Sequence, residues 1–544
     1  MRDIHNQNVC RPDGYNSAEK LISWAGFGWA TFAQYVFIGL CIWAGISGNA
    51  CLTYVVYHPL QVWFEIPYEE ILSQYARWMN EAGPLFMVPL VILTGMGIGR
   101  LGRFATILIL LTLSLCLFAL VWKGANPSMT VAGFVLHQFW LFPSIALIAY
   151  IYCYEITPIK WRVPVMFGMS LVEPFGSLLI ALANTLSLED SSVVEVRPEN
   201  FDNTYYFDQA LETAKGDARL RYCCIFVMAT LGTALLASLL VRTDTCISLI
   251  CRGRVGEAFD YLFKHGTEKT NAMDHAPLPM TKEEFRYNEI REESSSSMDF
   301  VIILQIFLFP IGLVCLATFA IVVVQDAVAG LYYYQMEDYL GEGFSHNMVP
   351  GMLAEFGAKT VGVVLAICMW LRLKDIRFIP AVGAIFAGIG ALICSTVPNM
   401  HPNGSEMRYS ELSSPDTVVL GMVIMHVGLP VLKSCVNILV MDLFCNKSRG
   451  QGVMRFKAIE LISYAGCYTM TEHAKTQPWF FALCAAVIVS VGVLLLAAFY
   501  MTNWFEHSLL CRDPEVDACW LVSEKGSSLQ NNSFHQTVSG HWPC

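Results

Sequence analysis

Charge is what this chain has least of. Only 15% of its 544 residues are Asp, Glu, Lys or Arg, against roughly a quarter in an ordinary soluble domain. Clustered Lys and Arg are missing, which excludes a nucleic-acid surface. The net charge of -11 says little about partners, because the acids gather in a few loops. No phosphate-cradling glycine loop, metal-spaced His/Cys set or nucleophile elbow occurs, so the residues point to no cofactor, no metal and no enzyme. That absence also argues against ATP-driven transport within the chain. The first 20 residues are polar and hold no apolar core, so no cleavable signal peptide is expected. Of the 19 cysteines, only Cys51 falls clearly in an expected outer loop, so buried apolar packing is expected rather than a disulfide framework.

What is present is apolar. Hydrophobic residues make up 55% of the chain and mean hydropathy is +0.49. A helix needs about 20 mainly apolar residues to cross the hydrocarbon layer. Runs of that kind lie at 22-46, 83-98, 104-122, 129-153, 163-186, 222-241, 300-325, 348-371, 379-397, 418-441, 453-472 and 478-503. The run 83-98 is short, and Arg455, Lys457 and Glu460 interrupt 453-472. An internal echo argues for keeping both. YEITPIKWR places Glu155 seven residues before Arg162, and MDLFCNKSR places Asp442 seven before Arg449. Upstream, Arg100 and Arg103 sit in one connecting turn, and Lys374 and Arg377 in another.

The expected fold is therefore an all-α polytopic membrane protein, with twelve transmembrane helices in two pseudo-symmetric six-helix bundles, a layout common among secondary transporters. The expected organisation is a cytoplasmic N-terminus at 1-21, one bundle at 22-241, a linker at 242-299, a second bundle at 300-503 and a tail at 504-544. Lys and Arg concentrate in the connecting turns just named and in 242-299, while 326-347 holds none. The positive-inside rule then puts both termini in the cytoplasm. In the linker, GRVGEAFDYLF reads as a short amphipathic helix. Asn403 heads a sequon in an outer loop and is a glycosylation candidate, which fits the plasma membrane or another secretory-route membrane.

Several of these segments resemble the major facilitator superfamily. GMGIGRLGRF is similar to its turn between helices 2 and 3, with Gly99 where an Asp is usual. RGRVGEAFDYL resembles the segment after helix 6 in the organic cation, anion and carnitine transporters. MDLFCNKSRGQG is similar to that family's acidic-Leu-Phe-Pro-Thr-x-x-Arg turn, with Cys445 in place of Pro. The Pro-Glu-Ser-Pro-Arg signature of that family is reduced here to RTDTCIS, where Asp244 keeps an acid. The resemblance implies alternating-access transport of a small organic ion between two rocking bundles, with membrane lipid as surroundings and proton or ion coupling as an option. A facilitator-fold protein that binds, senses or scaffolds without transporting is the alternative, favoured by the eroded turns.

Two sets of residues could do the work. Arg100, Arg103, Glu155, Arg162, Lys374, Arg377, Asp442 and Arg449 lie in the basic turns, where pairing between halves would close one side. For any one of them, setting topology is an equally good role. Charges inside spans cost roughly 2.5 to 3.5 kcal/mol at the centre on insertion scales, so they face a cavity or a partner. Glu173, Glu355, Lys359, Lys433 and Glu460 are of this kind, joined by Gln34, His137 and Trp140 as polar or aromatic candidates for a substrate pocket. Glu355 and Lys359 are four apart, so they can instead neutralise each other on one helix face. By the resemblance, Lys359 looks anion-directed, whereas the eleventh-span position is Leu461, one residue past Glu460. One residue turns a helix by about 100°, so substrate charge stays open.

Overall fold

The computed structural model describes residues 22-23, 25-63, 78-123, 127-189, 224-241, 243-269, 282, 316-324, 344-373, 376-395, 415-444, 449-474 and 478-501. They are helical almost throughout. In chain order the helices are α1 (Trp29–Trp63), α2 (Gly83–Leu101), α3 (Arg103–Lys123), α4 (Pro127–Leu136), α5 (Phe142–Ile156) and α6 (Ile159–Glu189). Then come α7 (Cys224–Val241), α8 (Cys246–Cys251) and α9 (Val255–Lys269), and α10 over 316-324. The set ends with α11 (Phe344–Leu373), α12 (Ile379–Ser395), α13 (Pro415–Leu443), α14 (Arg449–Ala474) and α15 (Pro478–Met501). Among the described residues each expected span overlaps one of these elements or, for the fourth, α4 and α5 in series; of the seventh, 300-325, only 316-324 is described. Among the described residues, nine helices are long and apolar enough to cross a membrane, and α12 is a shorter apolar one. The protein is an integral, multi-pass membrane protein.

The short 83-98 run becomes a 19-residue helix. Pro84 starts it where a missing N–H costs nothing, and Gly102, at φ 94°, stops it. The interrupted 453-472 run is also helical, although it is not among the nine apolar spans. The first span departs from expectation at its start. Its helix begins at Trp29, after Gly26 adopts φ 59°, a region that glycine enters without steric cost. Ile22 and Ala25 instead pack beside Cys246, Ile247, Leu249, Val255, Ala258, Phe259 and Leu262 of α8 and α9. The amphipathic segment of the linker thus covers its apolar face with the residues just before α1.

Between α4 and α5 the chain makes a π-helical turn, His137–Leu141. Such turns break the 3.6-residue periodicity and re-aim the side chains within them. Prolines sit inside two other helices near the expected charges, Pro174 in α6 and Pro430 in α13. Each removes one backbone hydrogen bond to the residue four before it.

Glycines set the closest helix contacts. A Cβ on Gly428 of α13 would lie 2.3 Å from Ala387 N of α12, and one on Gly390 of α12 would lie 2.4 Å from Gly421 O of α13. The two backbones therefore touch, as small residues allow in membranes. The halves meet where α14 packs on α2 and α11 packs on α6. A Cβ on Gly450 would come within 2.5 Å of Ile98, and one on Gly95 within 2.9 Å of Met454.

Candidate functional site

At one end of the molecule the turn between α5 and α6 meets the start of α14. Glu155 closes α5 fully buried, as is Arg103 at the start of α3. Glu155 Oε1 accepts from Arg103 Nη2 at 2.8 Å and from Arg103 Nε at 3.2 Å. Its other oxygen accepts the hydroxyl of Thr245. Thr245 caps α8, where its hydroxyl oxygen also accepts from Ser248 N at 3.0 Å. A buried carboxylate with this many donors is satisfied as an anion, which is the condition for keeping it charged inside a protein.

The second half reaches the same group. Arg449 Nη1 stands 3.7 Å from Glu155 Oε1, and the Arg449 guanidinium carbon lies 4.6 Å from the Tyr154 ring centre. Arg162 stands over the same ring at 4.2 Å and donates to the carbonyls of Tyr154 and Thr157. Arg449 donates in the same way to Met441 O at 2.9 Å. The two echoed arginines thus play matching parts, each tying down the carbonyl eight residues upstream.

Asp244 is the other anchor here. It accepts from Phe104 N at 3.3 Å, Thr245 N at 2.9 Å, Ser248 Oγ at 2.7 Å and Arg252 Nη2 at 2.7 Å. Arg252 also donates to Leu101 O. A Cβ on Gly102 would lie 1.9 Å from Asp244 Oδ2, so the α2–α3 turn accepts its clamp only because this residue is glycine. Outside the clamp, Arg254 and Glu257 pair on the exposed start of α9, and the Arg254 hydrogen bond holds Glu257 below the usual carboxylate range.

The structure separates the gating candidates. Arg103, Glu155, Arg162 and Arg449 converge. Arg100 does not: it ends α2 exposed on the outer side of the break at Gly102, while Arg103 begins a new helix facing inward. Arg377 is half-buried in the turn before α12. Lys374 lies outside the described residues, as does the glycosylation candidate Asn403, and of Asp442 only the backbone, in the last turn of α13, is described.

Deeper between the halves, Lys433 Nζ of α13 stands 3.8 Å from Glu173 Oε1 of α6, with side chains 43% and 38% accessible. The pair links α6 of the first half to α13 of the second, and both side chains keep accessible surface in the space between them. Glu460 is hydrogen-bonded by Lys457 at 2.7 Å. On α11, Lys359 donates to Glu355, and buried His426 lies on α13, which packs against α11. Among the described residues, the His426 Nδ1 atom makes no hydrogen bond.

Three pocket candidates go elsewhere. Gln34 lies near the basic end, because α1 begins only at Trp29. There it is buried and donates to Tyr152 Oη at 3.2 Å and Tyr261 Oη at 2.7 Å. It borders a small cavity of about 30 Å³ shared with Glu155, Thr31 and Tyr261, room for a water rather than a substrate. His137 is fully buried, its ring nitrogens 3.2 Å from Ser114 Oγ and 3.1 Å from Gly45 O. It fastens α1 to α3 and is not presented to the space between the halves. Trp140 donates to Thr94 Oγ1 at 3.0 Å, tying the π turn to α2.

Sequence reasoning missed Tyr154 and Thr245 at the closed end and His426 in the interior. Thr245 carried a readable signal, since a Thr before a short helix is a preferred N-cap. Tyr154 and His426 carried none, because an aromatic or a lone His in a membrane helix is ordinarily packing.

Comparison with solved structures places this architecture. The proton:xylose symporter XylE of E. coli, bound to 6-bromo-6-deoxy-D-glucose, matches with a TM-score of 0.64 at 15% identity, over 90% of this chain and 96% of that one. The human organic anion transporter MFSD10 matches at 0.53 with 10% identity, over 87% and 99%. The E. coli fucose:proton symporter FucP, in an outward conformation, matches at 0.57 with 14% identity, over 86% and 99%. No family model matches the sequence, and no curated protein does. The fold is that of the major facilitator superfamily.

Proposed function

We propose that this protein is a secondary transporter that moves a small organic ion across a membrane by alternating access, one six-helix half rocking against the other. The observation that carries the reading is Arg449 meeting Glu155 and Tyr154 across the halves at one end, while Glu173 and Lys433 face each other between the same halves. An ion pair, a ring contact and close helix packing at the closed end are each replaceable by water when the halves part. A solute engaging the deeper charges favours whichever state closes around it, and it shifts the balance only by its difference in affinity for the two.

Transport of small solutes by XylE, FucP and MFSD10 supports the reading by analogy of fold. In this reading Glu155, Arg103, Arg162 and Arg449 form the cytoplasmic gate, Glu173, Lys433, Glu355, Lys359 and Glu460 line the path, and both termini face the cytoplasm of a plasma-membrane protein. Proton or ion coupling is part of the reading, with buried His426 of α13 a candidate group on the helix packed against α11.

Uptake of labelled organic cations and anions into expressing cells, at two pH values, tests it. Uptake that falls in Glu355→Gln and Lys359→Ala is expected, and silence across the panel despite surface expression would overturn it. The second reading, a non-transporting binding or scaffold protein, is favoured by one observation. Glu355–Lys359 and Lys457–Glu460 are each satisfied along a single helix without any solute. Cysteine labelling from both sides separates the two, because only a carrier changes its exposure pattern when a solute binds.

A further inference from the structure

We infer that Ile22, Ala25 and Phe27, just ahead of α1, form a clasp that keeps bulk water from Glu155 and so strengthens its contact with Arg449 across the halves. This rests on the alternating-access reading above, because it concerns how the closed end stays closed. Ile22 and Ala25 are buried in a small core of their own, apart from that of the bundles, with Cys246 and Ile247 of α8 and Phe259 and Leu262 of α9. Phe27 serves the other side. Its ring centre lies 6.1 Å from that of Trp161 in α6 and 6.1 Å from that of Tyr35 in α1, and Tyr35 Oη is 2.7 Å from Thr157 Oγ1 in the α5–α6 turn. The chain changes direction at Gly26, whose N–H donates to Ile22 O at 2.9 Å and whose φ of 59° suits glycine.

Glu155 lies directly behind this clasp. The cavity of about 30 Å³ beside the acid is lined by Ile22, Ala25 and Gly26 together with Gln34 and Tyr261. It has room for a water, and the clasp residues are part of its wall. The linker reaches the acid from the same place, because the Thr245 hydroxyl at the start of α8 donates to Glu155, and the core that Ile22 and Ala25 complete is the one that seats α8. Two hydrogen bonds tie the linker to the first half, Gln34 Nε2 to Tyr261 Oη at 2.7 Å and Tyr152 Oη to Thr243 O at 2.9 Å. The apolar seal around these polar ties comes from the clasp.

The partners of Glu155 differ in what they ask of the surroundings. Arg103 donates to it at 2.8 Å and 3.2 Å, and these bonds fix direction as well as distance. Arg449 Nη1 stands at 3.7 Å, beyond hydrogen-bond length, so it is held to the acid by charge attraction alone. That attraction is roughly fourfold weaker in bulk water than at an effective dielectric near 20. Water admitted past the clasp therefore loosens the contact between the halves first and leaves the Arg103 bonds in place. Ile22, Ala25 and Phe27 are positioning residues for the closed end, acting on Arg449 through the surroundings of Glu155.

The test is maleimide labelling of the full-length protein in lipid nanodiscs, read thiol by thiol with peptide mass spectrometry. Gln451→Cys puts a reporter between the halves, since a Cβ on Gly95 of α2 would lie 3.5 Å from Gln451 Cα of α14. Native Cys246, buried in the small core, reports on the clasp itself. Arg449→Gln is the control for the gate and should raise labelling at position 451 several-fold. Ile22→Ala, and Gly26→Val, which the left-handed turn resists, should each do the same, while Ile22→Leu should not. Neither Ile22→Ala nor Gly26→Val should add to the rise that Arg449→Gln already gives, because both act through that contact. Unchanged labelling at position 451 in these two variants, whatever Cys246 does, would overturn the inference and leave the gate standing. So would a rise that adds in full to that of Arg449→Gln. If one variant misfolds the other carries the test, and misfolding of both would also overturn the inference, since a clasp that tunes closure is dispensable for folding. No rise in Arg449→Gln itself would overturn gate and clasp together.

Discussion

Arg449 Nη1 and Glu155 Oε1 stand 3.7 Å apart across the boundary between the two halves, and Arg449 also lies over Tyr154, the residue beside Glu155. One side chain of the second half therefore reads two consecutive residues of the first. Glu155 keeps its own bidentate partner, Arg103, so parting the halves releases Arg449 without stranding the acid.

Tyr154→Leu should weaken this closed end, because each guanidinium loses a ring contact worth roughly 0.5 to 2 kcal/mol. Tyr154→Phe keeps the ring and should be close to neutral. Thiol labelling of cysteines introduced on α14 near Gly450 should rise several-fold in the first variant and not in the second. Equal labelling in both would mean that the ring carries no part of the closure.

Removing Arg103 is a different kind of change, since it leaves Glu155 buried with Thr245 and the more distant Arg449. Arg103→Ala should lower folding stability by about 3 to 5 kcal/mol, the usual penalty for a broken buried pair. Thr245→Val removes one donor and should cost about 1 to 3 kcal/mol. Thermal unfolding of the detergent-solubilised protein would check the order.

The α12–α13 contact sets the position of Lys433. Gly428→Ala brings a methyl to 2.3 Å from Ala387 N, which backbone cannot yield, and overpacking of this kind costs about 1 to 3 kcal/mol. Gly97→Ala on α2 meets nothing within 4 Å and should be neutral or stabilising by up to about 1 kcal/mol. Melting temperatures of the two variants should move in opposite directions or differ by several degrees.

His137 holds α1 to α3 and faces no cleft. His137→Asn should lower the melting temperature through lost hydrogen bonds, about 1 to 3 kcal/mol, while the pH profile of solute uptake keeps its shape. A changed profile would show that His137 titrates during transport.

How much of this was legible differs from element to element. The apolar runs and basic turns were enough for the all-helical, two-half fold class, because every backbone group in lipid must be bonded within its own helix. The paired arginines were legible from their equal spacing, and the structure gives both the same job, tying down a carbonyl eight residues upstream. Glu355 with Lys359 was also legible, because partners four residues apart meet on any helix.

Gln34, His137 and Arg100 stand apart from the charges that meet across the halves for local reasons. A left-handed Gly26 delayed α1, a π turn swung His137 toward α1 and α3, and the break at Gly102 sent Arg100 outward while Arg103 went in. Each rests on one residue's backbone geometry, to which hydropathy is blind. The sequence by itself determined which residues are helical, because lipid leaves the backbone no other choice. Only the tertiary structure decided which charges meet. Glu173 and Lys433 are 260 residues apart in the chain, and nothing in either helix specifies the other until the two halves pack.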